Sequence, residues 1–184
     1  MKNFTKRFVQ ISIVFFLFFF FSIHLSYAQQ GNNQLVVGAD LGITTSEYFQ
    51  SQYPTGFGLG LKGLIGVGQT GQVSITSGFH RFILESSNQI SGFSSSYDLV
   101  PLMLGYRAYF NHFFVEPQIG ASFNTDRTVI DGFKANESMT ELSWALEAGY
   151  VLNRVEFSAR FQNTGPVPFN MAFIGLRAAY RISL

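Results

Sequence analysis

The feature that most constrains this chain is a two-residue alternation of apolar and polar side chains, which recurs in eight segments. The last segment, residues 169–184, shows it most clearly. Successive side chains of a β-strand point to opposite faces, so Ile174 and Leu176 share one face of this segment. Arg177 and Arg181 share the other face. The sequence therefore predicts a strand with one apolar face and one face that carries arginines.

Seven earlier segments repeat the pattern. Strands are predicted over residues 35–43, 57–67, 72–84, 97–110, 113–124, 139–152 and 155–161. The third is the least regular, because Phe82 and Leu84 are out of phase with the apolar residues before them. A β-bulge near His80 and Arg81 would bring the two halves into one phase.

The connections between these segments alternate in length. Short turns are predicted at residues 68–71, 111–112 and 153–154, longer loops at residues 44–55, 85–96 and 125–138, and a loop of medium length at residues 163–168. Membrane barrels of the up-and-down type sort their short turns to one side and their longer loops to the other. The sequence thus predicts an all-β fold, an eight-stranded antiparallel up-and-down transmembrane β-barrel with apolar side chains facing lipid.

The N-terminus has the order of a secretory signal. Basic residues come first, an apolar run over residues 8–25 follows, and small residues stand at the −3 and −1 positions before a cleavage site after Ala28. The basic residues are Lys2, Lys6 and Arg7. The alternative is an uncleaved membrane anchor, since the run approaches the length that spans a bilayer. We predict a signal peptide over residues 1–28 and a barrel domain over residues 29–184.

The charge and cysteine content of the predicted barrel domain exclude several classes of protein. Removal of residues 1–28 leaves nine basic and eleven acidic residues, a formal charge of −2. Such a chain lacks the excess of basic residues that is typical of a nucleic-acid-binding protein, and no nucleic-acid partner is expected. The absence of cysteine excludes disulfides, thiolate sites and a lipoprotein anchor.

The inner faces of the predicted strands carry charges of both signs. The predicted lumen network comprises Asp40, Lys62, Arg107, Glu116, Glu147, Glu156, Arg160 and Arg177. The two-residue turns at 111–112 and 153–154 place Arg107 opposite Glu116 and Glu147 opposite Arg160. Eight strands enclose a lumen just wide enough for its own side chains, so we predict a plug of paired charges. A narrow or gated path for small solutes is the alternative.

Aromatic residues on the outer faces gather near both ends of the strands. This predicted girdle comprises Phe57, Tyr106, Phe110, Phe113, Phe123, Tyr150, Phe161 and Tyr180. The ten steps from Phe113 to Phe123 span roughly 33 Å along a strand, or about 25 Å of height after tilting. That height matches the apolar band of an outer-membrane barrel.

Catalysis is not predicted. A lipid-modifying enzyme would need a histidine beside a nucleophile and an acid, and the predicted barrel domain offers only His80 and His112. Ser74, Ser77 and Glu85 lie near His80 in sequence without a recognised spacing. No metal or cofactor site is predicted either. A soluble barrel that carries a ligand would reverse the two faces, with apolar residues inside.

Several segments carry a family resemblance. Residues 97–107, residues 141–152 with Gly149 and Tyr150, and residues 180–184 resemble the small eight-stranded outer-membrane barrels of Gram-negative bacteria, the OmpA and OmpX type. The resemblance is strongest to the PorT-like group of Bacteroidetes. It implies a monomer in the cell outer membrane, surrounded by outer-membrane lipid and inserted by the assembly machinery through its C-terminal strand. A structural or loop-mediated role is expected, with an extracellular ligand at the loops.

Overall fold

A computed structural model describes residues 33–68, 71–85 and 93–184, so the predicted signal peptide lies outside the described residues. These ranges contain eight β-strands and one short helix. The elements are β1 (Gln34–Thr44), α1 (Glu47–Gln50), β2 (Thr55–Val67), β3 (Gly71–Ile83), β4 (Phe93–Phe110), β5 (Phe113–Ile130), β6 (Phe133–Leu152), β7 (Val155–Thr164) and β8 (Met171–Ser183). Among the described residues, no helix is long and apolar enough to cross a bilayer.

The strands form a closed antiparallel barrel in sequence order. Each strand pairs with the next, and β8 returns to pair with β1 from Gln34–Ser183 to Thr44–Phe173. The Leu184 amide also donates to the Asn33 carbonyl at 3.0 Å, which seals this end of the seam. The predicted eight-stranded up-and-down barrel is confirmed.

The outer face of the barrel is apolar. Its exposed leucines and isoleucines include Leu41, Leu59, Leu104, Ile119, Leu142, Leu146 and Leu176. The neighbouring residues of the same strands point inward and are mostly polar, as the alternation predicted. A continuous apolar exterior of this kind requires hydrocarbon around it, because contact with water would carry a large hydrophobic cost.

The predicted bulge in β3 is wrong. The β2–β3 ladder runs through thirteen consecutive pairs without interruption. Phe82 and Leu84 are out of phase with the lipid-facing residues because they point into the barrel, where they are buried. Gly56, the partner of Phe82, makes room for the ring, since a Cβ at that position would lie 2.6 Å from Phe82 Cδ1. The inner face itself therefore turns apolar towards the loop end.

The predicted loop over residues 125–138 is also wrong. β5 and β6 continue as a hairpin up to a two-residue turn at Asp131 and Gly132, whose φ angles of 47° and 87° are both positive, as in a type I′ turn. β4 continues beside them, with Phe93 paired to Ile130. The three strands form a sheet that extends beyond the lipid-facing band, and we call residues 93–98, 124–130 and 133–142 the blade.

Candidate functional site

The lower lumen, nearest the short turns, is organised around one lysine. Glu116 and Glu147 lie directly opposite each other on β5 and β6. Lys62 reaches them from β2, and its Nζ donates to Glu116 Oε2 at 3.0 Å and to Glu147 Oε2 at 2.9 Å. All three side chains have zero exposed surface. Two like charges that would repel each other are thus joined by a cation from across the barrel.

Arg107 extends this network towards the short-turn end. Its Nε donates to Glu116 Oε2 at 2.6 Å, and its Nη1 donates to Glu156 Oε2 at 2.8 Å. The guanidinium also stacks over the Phe114 ring, 3.7 Å from the ring centroid. Arg181 closes the lower edge, with its Nε 3.8 Å from Glu156 Oε2.

A second ionic group lies higher in the lumen. Asp40 and Arg177 are ladder partners, and Arg177 donates to both carboxylate oxygens at 2.7 and 3.0 Å. His80 Nε2 lies 3.5 Å from Asp40 Oδ2. Gly60 leaves space for the arginine, because a Cβ there would lie 2.2 Å from Arg177 Nη2. The absence of a side chain at position 60 therefore allows this bidentate pair to form inside a narrow barrel.

The structure places all eight predicted lumen residues inside, each at most 4% exposed. The predicted contact between Arg107 and Glu116 forms. Glu147 and Arg160 are ladder partners as predicted, but Glu147 bonds to Lys62 and to Ser158 Oγ. Arg160 instead directs its Nη2 to Met103 Sδ at 2.9 Å. Its Nε and Nη1 have no hydrogen-bond partner among the described residues.

Sequence reasoning missed the contact between Glu116, Glu147 and Lys62. The β5–β6 register depends on the turn at Asp131 and Gly132, and the prediction of a loop over residues 125–138 left that register undefined. Asp-Gly is a strong hairpin signal. Pairing outward from that turn would have set Glu116 opposite Glu147.

An apolar cap, also missed, closes the lumen at the loop end. It comprises Tyr53, Phe82, Leu84, Tyr97, Leu99, Met171 and Phe173, all buried. Phe49 of α1 packs against it, 5.0 Å from the Tyr97 ring centroid. Several hydrogen bonds hold Tyr53 in place. Thr44 Oγ1 donates to its carbonyl at 2.6 Å, its amide donates to the Phe49 carbonyl at 2.7 Å, and its hydroxyl lies 2.5 Å from Ser95 Oγ. The lumen is closed twice, by apolar packing above and by ion pairs below.

The predicted girdle residues all lie on the outer face of the barrel. Tyr106, Phe110, Phe113, Tyr150 and Tyr180 lie towards the short turns, and Phe57, Phe123 and Phe161 lie towards the loops. Phe113 and Tyr150 are ladder partners whose rings meet edge to face, 4.9 Å between centroids. Trp144, which the prediction omitted, packs beside Phe161 at 5.5 Å.

Three solved structures illustrate what the fold is similar to. Ail, the attachment invasion locus protein of Yersinia pestis, superposes with a TM-score of 0.61 at 13% identity, over 84% of this chain and 100% of that chain. Neisserial surface protein A gives 0.55 at 12% identity, over 83% and 97%. The N-terminal barrel domain of Pseudomonas aeruginosa OprF gives 0.55 at 11%, over 83% and 100%. At these identities the likeness shows the fold alone.

A comparison with curated protein sequences finds no match. The narrower resemblance to the PorT-like group stays a prediction. A family model described as the outer membrane protein beta-barrel domain matches residues 13–165, which is most of the chain. Together with the closed barrel and its apolar exterior, this match places the protein in the outer membrane. The chain belongs to the outer membrane protein beta-barrel domain family.

Proposed function

We propose that this protein is a non-conducting, non-catalytic barrel that presents the blade outside the membrane for binding another protein. The bound segment would be an extended strand that adds to the free edge of β6. This free edge is the observation that carries the proposal. A partner of this kind is the extracellular ligand that the sequence led us to expect at the loops.

The free edge begins where β7 stops. The β6–β7 ladder ends at the pair Ser143–Thr164, and the Gly165 amide donates to the Leu142 carbonyl at 3.0 Å. Beyond that point, β6 pairs only with β5 among the described residues. Backbone groups alternate in direction along a strand. The residues that share the direction of Leu142, and so turn their N–H and C=O groups away from β5, are Lys134, Asn136, Ser138 and Thr140.

An edge of this length favours a protein partner. Unpaired strand edges template pairing with another chain, and soluble regions of natural proteins usually protect them. An extended segment can bind such an edge through main-chain hydrogen bonds, with side chains supplying specificity. Ile130 and Phe133 at the tip are 53% and 83% exposed and would supply apolar contacts.

The closed lumen supports the non-conducting part of the proposal. The apolar cap and the buried ion pairs both lie across the path from one end to the other. The non-catalytic part rests on the environment of His80, which is 3% exposed and lies beside Asp40 under the cap. A substrate would have to displace the cap to reach this histidine.

Strand addition can be tested with one substitution at the edge. Asn136→Pro removes a backbone donor from the free edge, while the β5–β6 ladder is kept, because prolines are tolerated on the open side of an edge strand. Asn136→Ala is the matched control, since it removes the side chain and keeps the N–H. A photo-crosslinking residue at position 138 would report contact in intact cells, and the same residue at position 146 would report contact with lipid.

We expect a discrete protein adduct from position 138 in the native background and with Asn136→Ala, and its loss with Asn136→Pro. Position 146 should give no such adduct. An adduct that persists with the proline, or the absence of any protein adduct at position 138, would refute strand addition.

A further inference from the structure

The outer surface carries a cluster of two arginines around one aspartate. Arg81 Nε donates to Asp98 Oδ1 at 2.7 Å, and Arg81 Nη2 donates to Oδ2 at 2.8 Å. Arg127 Nε donates to Asp98 Oδ2, also at 2.7 Å. The side chain of Asp98 is 4% exposed, whereas those of Arg81 and Arg127 are 39% and 49% exposed. We call these three residues the rim cluster.

The rim cluster lies directly above lipid-facing side chains. Arg81 and Asp98 are ladder partners on β3 and β4, and their side chains share the outer face. Two residues closer to the membrane on those strands are Phe79 and Val100, both exposed on the same face. The Arg81 guanidinium lies over the Phe79 ring, 5.5 Å from its centroid. A lipid whose acyl chains cover Phe79 and Val100 would therefore have its head group at the cluster.

The charges of the rim cluster suit an anion. Two guanidinium groups share one carboxylate, which leaves one net positive charge. Arg81 Nη1 and both Nη atoms of Arg127 have no hydrogen-bond partner among the described residues. Asp98, on the strand between them, bonds to both guanidinium groups and restricts their motion, which lowers the entropy that an anion must remove on binding. Planar arginine forks match phosphate oxygens in geometry and charge.

We propose that Arg81 and Arg127 bind the phosphate group of a lipid in the outer leaflet. Asp98 is a positioning residue that orients both arginines and does not itself contact the phosphate. Arg127 lies in the blade and is the ladder partner of Asn136. The rim cluster, however, would bind phosphate through arginine side chains, whereas strand addition would use the backbone groups at the free edge of β6, so neither proposal depends on the other.

The test uses the mature protein in detergent micelles and native mass spectrometry. The probes are lipid A, the same lipid after removal of its phosphates, and inorganic phosphate. The variant Arg81→Gln with Arg127→Gln removes both cations. Arg154→Gln is the matched control, because Arg154 is an exposed arginine in the turn at the opposite end of the barrel.

We expect the native protein and Arg154→Gln to retain lipid A roughly tenfold more tightly than the double variant, as the loss of charge-assisted bonds predicts. The dephosphorylated lipid should bind all three equally, and excess inorganic phosphate should not displace lipid A. Equal retention of lipid A by native protein and double variant would overturn the proposal. Displacement by inorganic phosphate would also overturn it, by assigning the cluster to free phosphate.

The single variant Arg127→Gln guards against misfolding of the double variant. Arg127 bonds to Asp98 through Nε alone, so its loss leaves the bidentate pair of Arg81 and Asp98 in place. We expect an intermediate loss of lipid A retention with this variant, and no change would contradict the proposal.

Discussion

Lys62 neutralises part of the negative charge in the lower lumen. Glu116 and Glu147 face each other across β5 and β6, and Lys62 Nζ lies about equally far from both. A buried ion pair adds little net stability compared with apolar packing, but removal of one partner leaves an uncompensated charge. Here removal of the lysine would leave two adjacent carboxylates, and among the described residues their one remaining salt bridge would be that of Glu116 with Arg107.

We predict that Lys62→Met lowers the free energy of unfolding by about 3–5 kcal/mol. The measurement is urea unfolding in detergent micelles, followed by the gel mobility of unheated samples. Glu116→Gln combined with Lys62→Met should restore part of the loss, because only one carboxylate then remains. An unchanged unfolding midpoint for Lys62→Met would mean that the lysine does not bridge the two carboxylates.

Arg160 provides the contrasting case at similar burial. Its Nη2 contacts Met103 Sδ, and Glu147 already has Lys62 and Ser158 as partners. Arg160→Met should therefore cost less than Lys62→Met, within about 1 kcal/mol of the native protein. The same urea titration measures this difference, and a larger loss for Arg160→Met than for Lys62→Met would contradict it.

Tyr53 makes the cap sensitive to alkaline pH. Burial raises the pKa of its hydroxyl above the ordinary value of 10, and the nearby Asp126 carboxylate raises it further, against a hydrogen bond with Ser95 that lowers it. The folded state thus holds this proton more tightly than the unfolded state, so stability falls as the pH rises past about 10.

We predict that Tyr53→Phe reduces the loss of stability between pH 9 and pH 11, roughly the window in which an unfolded tyrosine ionises. The other tyrosines, including Tyr97 in the cap, are common to both proteins and cancel in the comparison. Urea midpoints across this window give the measurement. Parallel pH profiles for the two proteins would exclude a role for Tyr53.

At the scale of elements, the strands were predicted correctly where their outer face contacts lipid, and the prediction failed where a strand has water on both faces. The alternation that identified the strands has a physical cause, since one face meets hydrocarbon and the other the lumen. Residues 133–140 are exposed on both faces, so no alternation marks them as strand. The prediction of a bulge near the end of β3 failed for a different reason. Phe82 belongs to the apolar cap, whereas the lumen was predicted to be polar throughout.

The turn at Asp131 and Gly132 fixes the blade. Gly132 has φ of 87°, a conformation that a β-branched residue adopts only with strain. Gly132→Val should destabilise the hairpin locally by about 1–3 kcal/mol and leave the barrel intact. Limited proteolysis of residues 125–138 measures the local effect, and heat-dependent gel mobility measures the barrel.

Ala135→Val is the control, because it adds the same side chain at an extended position in β6. We expect it to leave proteolysis of the hairpin unchanged. Equal cleavage of the Gly132→Val and native proteins would mean that the turn does not depend on this glycine.

At the scale of the whole molecule, two separate layers close the lumen. The sequence predicted which residues face inward, because that follows from strand phase. Contacts across the barrel could not be predicted in this way, since they depend on strand stagger and on side-chain reach. The contact of Lys62 on β2 with β5 and β6 is of this kind.

We predict that the mature protein shows no stepwise conductance in planar lipid bilayers. Phe82→Ala with Phe173→Ala should also remain closed, because the ion pairs below the cap are untouched by these changes. Conductance steps from the native protein would show that neither layer seals the lumen.

The pairing of β1 with β8 has a consequence for synthesis. Within the barrel, β1 acquires its second neighbour only when β8 pairs with it. Until that pairing forms, the sheet has two unpaired edges that could pair with other copies of the chain, so those edges must be protected until the barrel closes. Since the Leu184 amide donates to the Asn33 carbonyl, a circular permutant that joins these two residues and opens the chain between Asp131 and Gly132 would keep every ladder and place its new ends at the tip of the blade.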